Sequence, residues 1–81
     1  MKGAKTMKEM IRVYELTPIY DRRKSFYGKA KVIEYANGHK MLQSYETIVS
    51  DCDASGNVTH RGKWSMTTSR HQREFERQFA K

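Results

Sequence analysis

The residues best suited to chemistry in this chain are cations and aromatic rings set close together. Arg22, Arg23 and Lys24 run on from Tyr20-Asp21, and Tyr27, Lys29, Lys31 and Tyr35 follow at odd positions. The segment 20–35 holds five of the 16 Lys and Arg residues and half of the Phe and Tyr residues. Guanidinium and ammonium groups neutralise phosphates, and interleaved rings stack on bases or sugars. Contacts of this kind are expected from Arg22, Arg23, Lys24, Tyr27, Lys29 and Lys31. A formal net charge of +7 over 81 residues points to an acidic partner, nucleic acid before an anionic membrane. The plainer alternatives are solubility and a solvated face on which Lys stems cover apolar surface.

Other chemistry finds less support. Asp51-Cys52-Asp53-Ala54-Ser55-Gly56 starts like a calcium loop, but position 12, where a bidentate Glu belongs, is Gly62. Cys52, His39, His60 and His71 are zinc-ligand types without zinc-ligand spacing, and no organised base stands near Cys52 in sequence. Glu34 and Glu46 are expected on opposite faces of a hairpin, and Glu74 and Glu76, among arginines, as surface ion pairs. His71 is expected as a packed side chain on an apolar helix face. The expectation is a binding protein rather than an enzyme, with no cofactor and no metal.

The elements that must position these residues fit one domain. Residues 1–9 are expected as a flexible basic tail and residues 10–81 as a single α+β domain. Met10–Leu16 reads as a strand stopped by Thr17-Pro18, with a helix over Met7–Leu16 as the alternative. Pro18–Ser25 reads as a loop anchored by inward packing of Ile19 and Tyr20. Phe26–Ala36 reads as a second strand, turned by Asn37-Gly38 as a two-residue type I′ loop. That register sets Ile33 opposite Leu42, Lys29 opposite Glu46 and Tyr27 opposite Ile48. It puts Phe26, Gly28, Ala30, Val32, Met41, Tyr45, Thr47 and Val49 on the core face. Tyr27, Lys29, Lys31, Ile33 and Tyr35 then face solvent or a partner with Lys40, Leu42, Ser44, Glu46 and Ile48.

A third strand is expected over His39–Ser50, a polar turn over Asp51–Asn57, and a short edge strand over Val58–Trp64. Thr67–Gln72 opens a helix capped at Ser69, or at Thr67 or Thr68. His71, Phe75 and Phe79 form its apolar stripe, with Arg70, Arg73, Arg77 and Lys81 on the broad opposite face. The predicted architecture is an antiparallel sheet of three to four strands with one C-terminal helix on one face. A single Cys, a basic N-terminus without a following apolar stretch, and no apolar run near membrane length together suggest a cytoplasmic protein without a membrane partner.

The chain also resembles a family of small uncharacterised proteins encoded by phages, prophages and mobile elements of Gram-positive gut bacteria. The resemblance runs from Tyr14 to Phe79. It is carried by Tyr14-Glu15-Leu16-Thr17-Pro18, by Tyr20-Asp21 leading to Arg23-Lys24-Ser25-Phe26-Tyr27-Gly28-Lys29-Ala30, by Gly38 and Ser44-Tyr45, and by Thr67-Thr68-x-Arg70-His71 with Glu74-Phe75 and Gln78. It implies an accessory role in a bacterial host's cytoplasm and brings no activity, cofactor or catalytic residue. It also implies that Arg70 and His71 reach back to the Tyr20–Tyr27 region. Beside nucleic-acid binding, two other functions stand open: a module that binds and modulates a host protein, and a small structural homo-oligomer joined at a sheet edge.

Overall fold

A computed structural model describes residues 10–81, so the predicted tail, residues 1–9, lies outside the described residues. The chain forms β1 (Met10–Glu15), β2 (Ala30–Tyr35), β3 (Lys40–Ser44), β4 (Thr47–Cys52), β5 (Val58–His60) and α1 (Met66–Phe79). The strands make one antiparallel meander in chain order, with β1 and β5 at its edges, and α1 packs on one face. The α+β class with a C-terminal helix is as expected. The sheet has five strands rather than three or four, because the segment 39–50 turns at Tyr45-Glu46 and becomes two strands.

The hairpin register differs by one residue from the predicted one. Asn37 does not take the positive φ that a type I′ turn requires; only Gly38 does, at φ 92. The loop is therefore Ala36-Asn37-Gly38, with Gly38 N–H on the Tyr35 carbonyl at 3.0 Å and Tyr35 N–H on the His39 carbonyl at 2.9 Å. Asn37 Oδ1 accepts from His39 N–H at 3.1 Å and closes the turn. Val32 consequently faces Leu42, and Ala30 faces Ser44. A one-residue slip moves every side chain of a strand to the other face. Leu42 and Ser44 are thus in the core, and Met41 leaves it. Lys29 meets Tyr45, not Glu46: its carbonyl accepts Tyr45 N–H at 2.7 Å, and its ammonium lies 5.6 Å from the Tyr45 ring centre.

The second strand starts at Ala30 rather than Phe26. Tyr27 and Gly28 take φ 55 and 76, and Lys29 N–H bonds the Phe26 carbonyl at 3.0 Å, so residues 26–29 are a tight turn. β4 carries an extra residue: Leu42 pairs with Ser50 and Gln43 with Ile48, which leaves Val49 unpaired. Its carbonyl is not orphaned, because Gln72 Nε2 donates to it at 2.9 Å and Arg61 N–H at 2.8 Å. The edge strand β5 is shorter than expected and stops at His60.

The core is Leu16, Phe26, Ala30, Val32, Leu42, Val49, Cys52 and Phe75, with Tyr14, Val58 and Phe79 packed against it. Phe75 is fully buried, which contributes about 2–3 kcal/mol. The predicted stripe of His71, Phe75 and Phe79 faces this core. The helix begins earlier than predicted. Ser65, extended at ψ 167, caps it by accepting from Thr68 N–H at 3.3 Å, and Ser69 lies inside the first turns. Position 65 serves because the cap residue must be non-helical, with its oxygen aimed at the N–H three residues on.

Candidate nucleic-acid interface

The loop between β1 and β2 is held from below by one carboxylate. Glu74, on α1, is buried; its Oε2 accepts from Ile19 N–H at 2.7 Å and its Oε1 from Asp21 N–H at 2.9 Å, with Tyr20 N–H shared between them at 3.1 Å. Gln78 Nε2 bridges the same carboxylate, at 2.6 Å, to the Thr17 carbonyl, at 2.8 Å. Burial alone raises the Glu74 pKa. The Gln78 amide and the three backbone N–H groups outweigh it and leave the carboxyl below its ordinary value, hence ionised. Asp21 extends the clamp. Arg23 N–H bonds its Oδ1 at 3.0 Å and holds its pKa down, with help from Arg70 at 3.1 Å.

This corrects two expectations. Glu74 is not a surface ion pair, and the exposed Glu76 meets His60 Nε2 at 2.9 Å rather than an arginine. Ile19 and Tyr20 do not pack inward; they are 69% and 58% exposed, because the loop is anchored through its backbone and its side chains point out.

Between that loop and α1 lies an open cleft of about 470 Å³, walled by Tyr20, Arg22, Trp64, Met66, Arg73 and Arg77, with the already bonded carboxylates of Asp21 and Glu74 also in its lining. A smaller hollow of about 220 Å³ is lined by Arg23, Tyr27, Lys29 and Tyr45 over His71. Arg70 borders both. The result is one surface on which cations alternate with exposed rings: Tyr27 at 74%, Tyr20 at 58%, Tyr45 at 49% and Trp64 at 43%. Among the described residues, Arg22, Arg73 and Arg77 make no ion pair; the pairs fall on Arg12, His60, Arg61 and Arg70. Arg73 and Arg77 are like charges four apart on a helix, an arrangement that costs about 0.2–0.5 kcal/mol until an anion relieves it.

The six residues expected to make contacts are therefore divided. Arg22 lines the cleft, and Arg23, Tyr27 and Lys29 line the hollow. Lys24 is exposed and borders neither. Lys31 lies on the sheet face opposite Ala30 and Val32, in register with Glu15 and Gln43, away from the others. Tyr27 is carried by a turn and not by a strand face. The sequence reading did not join Trp64, Arg73 and Arg77 to this surface. The spacing of Arg70, Arg73 and Arg77 along one helix face was a visible signal; the approach of the loop to that face was not.

The other candidate chemistry resolves into structure. His71 is buried, its ring 4.6 Å from Phe26 edge-on and its Nδ1 2.8 Å from Ser44 Oγ. Burial lowers its pKa, partly opposed by Asp21, and the imidazole stays neutral. Arg70 and His71 thus both meet the Tyr20–Tyr27 region. Ser50, His60 and Glu76 form a chain of hydrogen bonds at 2.7 and 2.9 Å that resembles a hydrolytic triad. Ser50 is fully buried, so its hydroxyl meets no substrate and the chain ties β4 and β5 to α1. Cys52 lies in the core with its thiol pKa raised by burial, which makes it a poor nucleophile. Asp53 closes its own turn on Ser55 and Asn57, and Asp51 pairs with Arg61 at 2.8 Å. Among the described residues no cluster of His, Cys, Asp and Glu is placed to hold a metal ion, and no helix is long and apolar enough to cross a membrane.

Neither a curated protein nor a solved structure matches this chain. A family model matches residues 14–81, and the chain belongs to that family of unknown function, DUF8033.

Proposed function

We propose that this protein binds nucleic acid through the cleft between the 17–26 loop and α1, as a binding protein rather than a catalyst. The observation that carries this is the placement of Arg22, Arg73 and Arg77 around one cleft with no carboxylate partner among the described residues. Guanidinium groups held on a rigid helix and a clamped loop form bidentate bonds to phosphate oxygens. Arg23, Lys29 and Tyr27 extend the contact across the neighbouring hollow. The setting in this reading is the cytoplasm of a Gram-positive host, in accessory service to a phage or mobile element. That part rests on the resemblance carried by residues 14–79.

A titration with labelled DNA tests the proposal. Binding at about 50 mM salt is expected to weaken steeply as salt rises, and the Arg73→Ala/Arg77→Ala variant is expected to lower the log–log slope by about 2. No detectable binding of the wild type at that salt overturns it.

A second reading has one observation in its favour. The sheet face away from α1 carries Val13, Ile33 and Met41 side by side, and Met10, Ile11 and Val13 on edge strand β1 are 54%, 62% and 48% exposed. Edge strands with apolar side chains invite pairing with another chain. In this reading the protein is a homo-oligomer or binds a host protein. Light scattering that shows a monomer at high concentration removes the homo-oligomer.

A further inference from the structure

We infer that the nucleic acid this cleft takes is single-stranded, with a base stacked on Trp64. The inference rests on the proposed binding function and names its substrate class. Trp64 is the chain's one tryptophan and stands in the connection between β5 and α1. Its indole N–H donates to the Arg61 carbonyl, which fixes the ring from one edge. Gly62, whose φ of 66 favours glycine, lies beside the ring, where even a Cβ would make only ordinary contact, at 3.4 Å from Cζ2 and Nε1. The indole is thus held in place before any ligand arrives, while the residue lines the cleft and stays 43% exposed. Among the described residues, the close cation–ring contacts fall on Tyr14, Tyr45 and Phe79, and none on Trp64 or Tyr20.

A ring fixed at its edge and open at the cleft is a platform for another flat group. In a duplex the base faces are already stacked on each other, and only edges and phosphates are presented. Unpaired bases turn their faces outward and stack on aromatic side chains while basic groups follow the backbone. Arg73 and Arg77 stand on α1 at the same cleft as the indole, where they can follow a strand's phosphates, and they also line an adjoining depression with Glu76 and Ala80. A duplex reaches the arginines without using Trp64, and a single strand uses both. Trp64 is therefore the residue that discriminates between the two.

The test uses the full chain, a labelled oligothymidylate of about 15 nucleotides and a hairpin duplex of matched length. The single strand is expected to bind at least about tenfold more tightly and to quench the emission of Trp64 in proportion to occupancy. Trp64→Ala is expected to abolish that preference while duplex binding changes less than about twofold; Trp64→Phe is expected to keep most of it. Quenching in the wild type is an independent readout should the alanine variant fold poorly. Equal affinities with unchanged emission overturn the inference and leave the phosphate-binding function standing. Binding to neither probe overturns both.

Discussion

The surface beside β1 and β2 and the surface beside the 17–26 loop and α1 are both rich in charge, and they treat it differently. On the sheet side, Arg12 Nε lies 2.8 Å from Glu34 and its guanidinium 4.6 Å from the Tyr14 ring centre; the Tyr14 hydroxyl reaches the same carboxylate. The cation is answered locally. On the helix side, Glu74 is occupied by backbone N–H groups and Asp21 by Arg70 and the Arg23 N–H. Arg22, Arg73 and Arg77 are left facing a cleft. Where cations are free is decided by where the carboxylates go, and net charge alone does not reveal that.

The strongest way to break the contrast is to remove Glu74. Glu74→Ala leaves three loop N–H groups and Gln78 without their acceptor, and is expected to cost about 2–4 kcal/mol in urea unfolding. It is also expected to weaken DNA binding, since the undocked loop carries Arg22 away from Arg73. An unchanged unfolding midpoint would show that the carboxylate does not hold the loop.

Acid acts on the same side. His71 and Glu74 both have lowered pKa values in the fold, so the unfolded chain binds more protons as pH falls. Their stabilisation is complete above the unfolded values, 6.5 for His71 and 4.5 for Glu74, and is lost as pH drops through the lower folded ones. Urea midpoints are expected to fall in two stages below those values, with His71→Gln removing the upper stage. A midpoint constant from neutral pH to about 5 would contradict this assignment of His71.

Next in size is a comparison of two double variants. Arg73→Ala/Arg77→Ala is expected to weaken DNA binding by about tenfold or more at about 50 mM salt, with stability unchanged or slightly raised. Arg12→Ala/Lys31→Ala removes the same charge from the sheet side and is expected to change affinity by less than about twofold. Equal losses from both would mean that net charge, not the cleft, governs binding. The smallest effect is expected from Lys24→Ala, whose side chain borders neither hollow: its titration curve should overlay the wild type's.

Much of the scaffold was legible because it depends on local pattern. The strand expected over Met10–Leu16 and found at Met10–Glu15, the alternation of Ala30 and Val32 toward the core, and the stripe of His71 and Phe75 follow from residue types and spacing; the return of Arg70 and His71 to the Tyr20–Tyr27 region was implied by the family resemblance instead. The register of β3 was not legible. Asn37-Gly38 suits a two-residue and a three-residue loop, and the choice depends on the φ of one residue. Glu74 was misread for a related reason. Its neighbours in sequence are arginines, whereas its partners are backbone groups more than fifty residues away.

The sequence by itself determined an α+β domain of basic composition and a helix bearing a row of arginines, because composition and periodicity are properties of short stretches. Only the tertiary structure decided which of those cations share a site. Glu74 must collect the N–H groups of a distant loop to be buried as a charge, and in docking that loop it brings Arg22 to Arg73 and Arg77 in one cleft with Trp64.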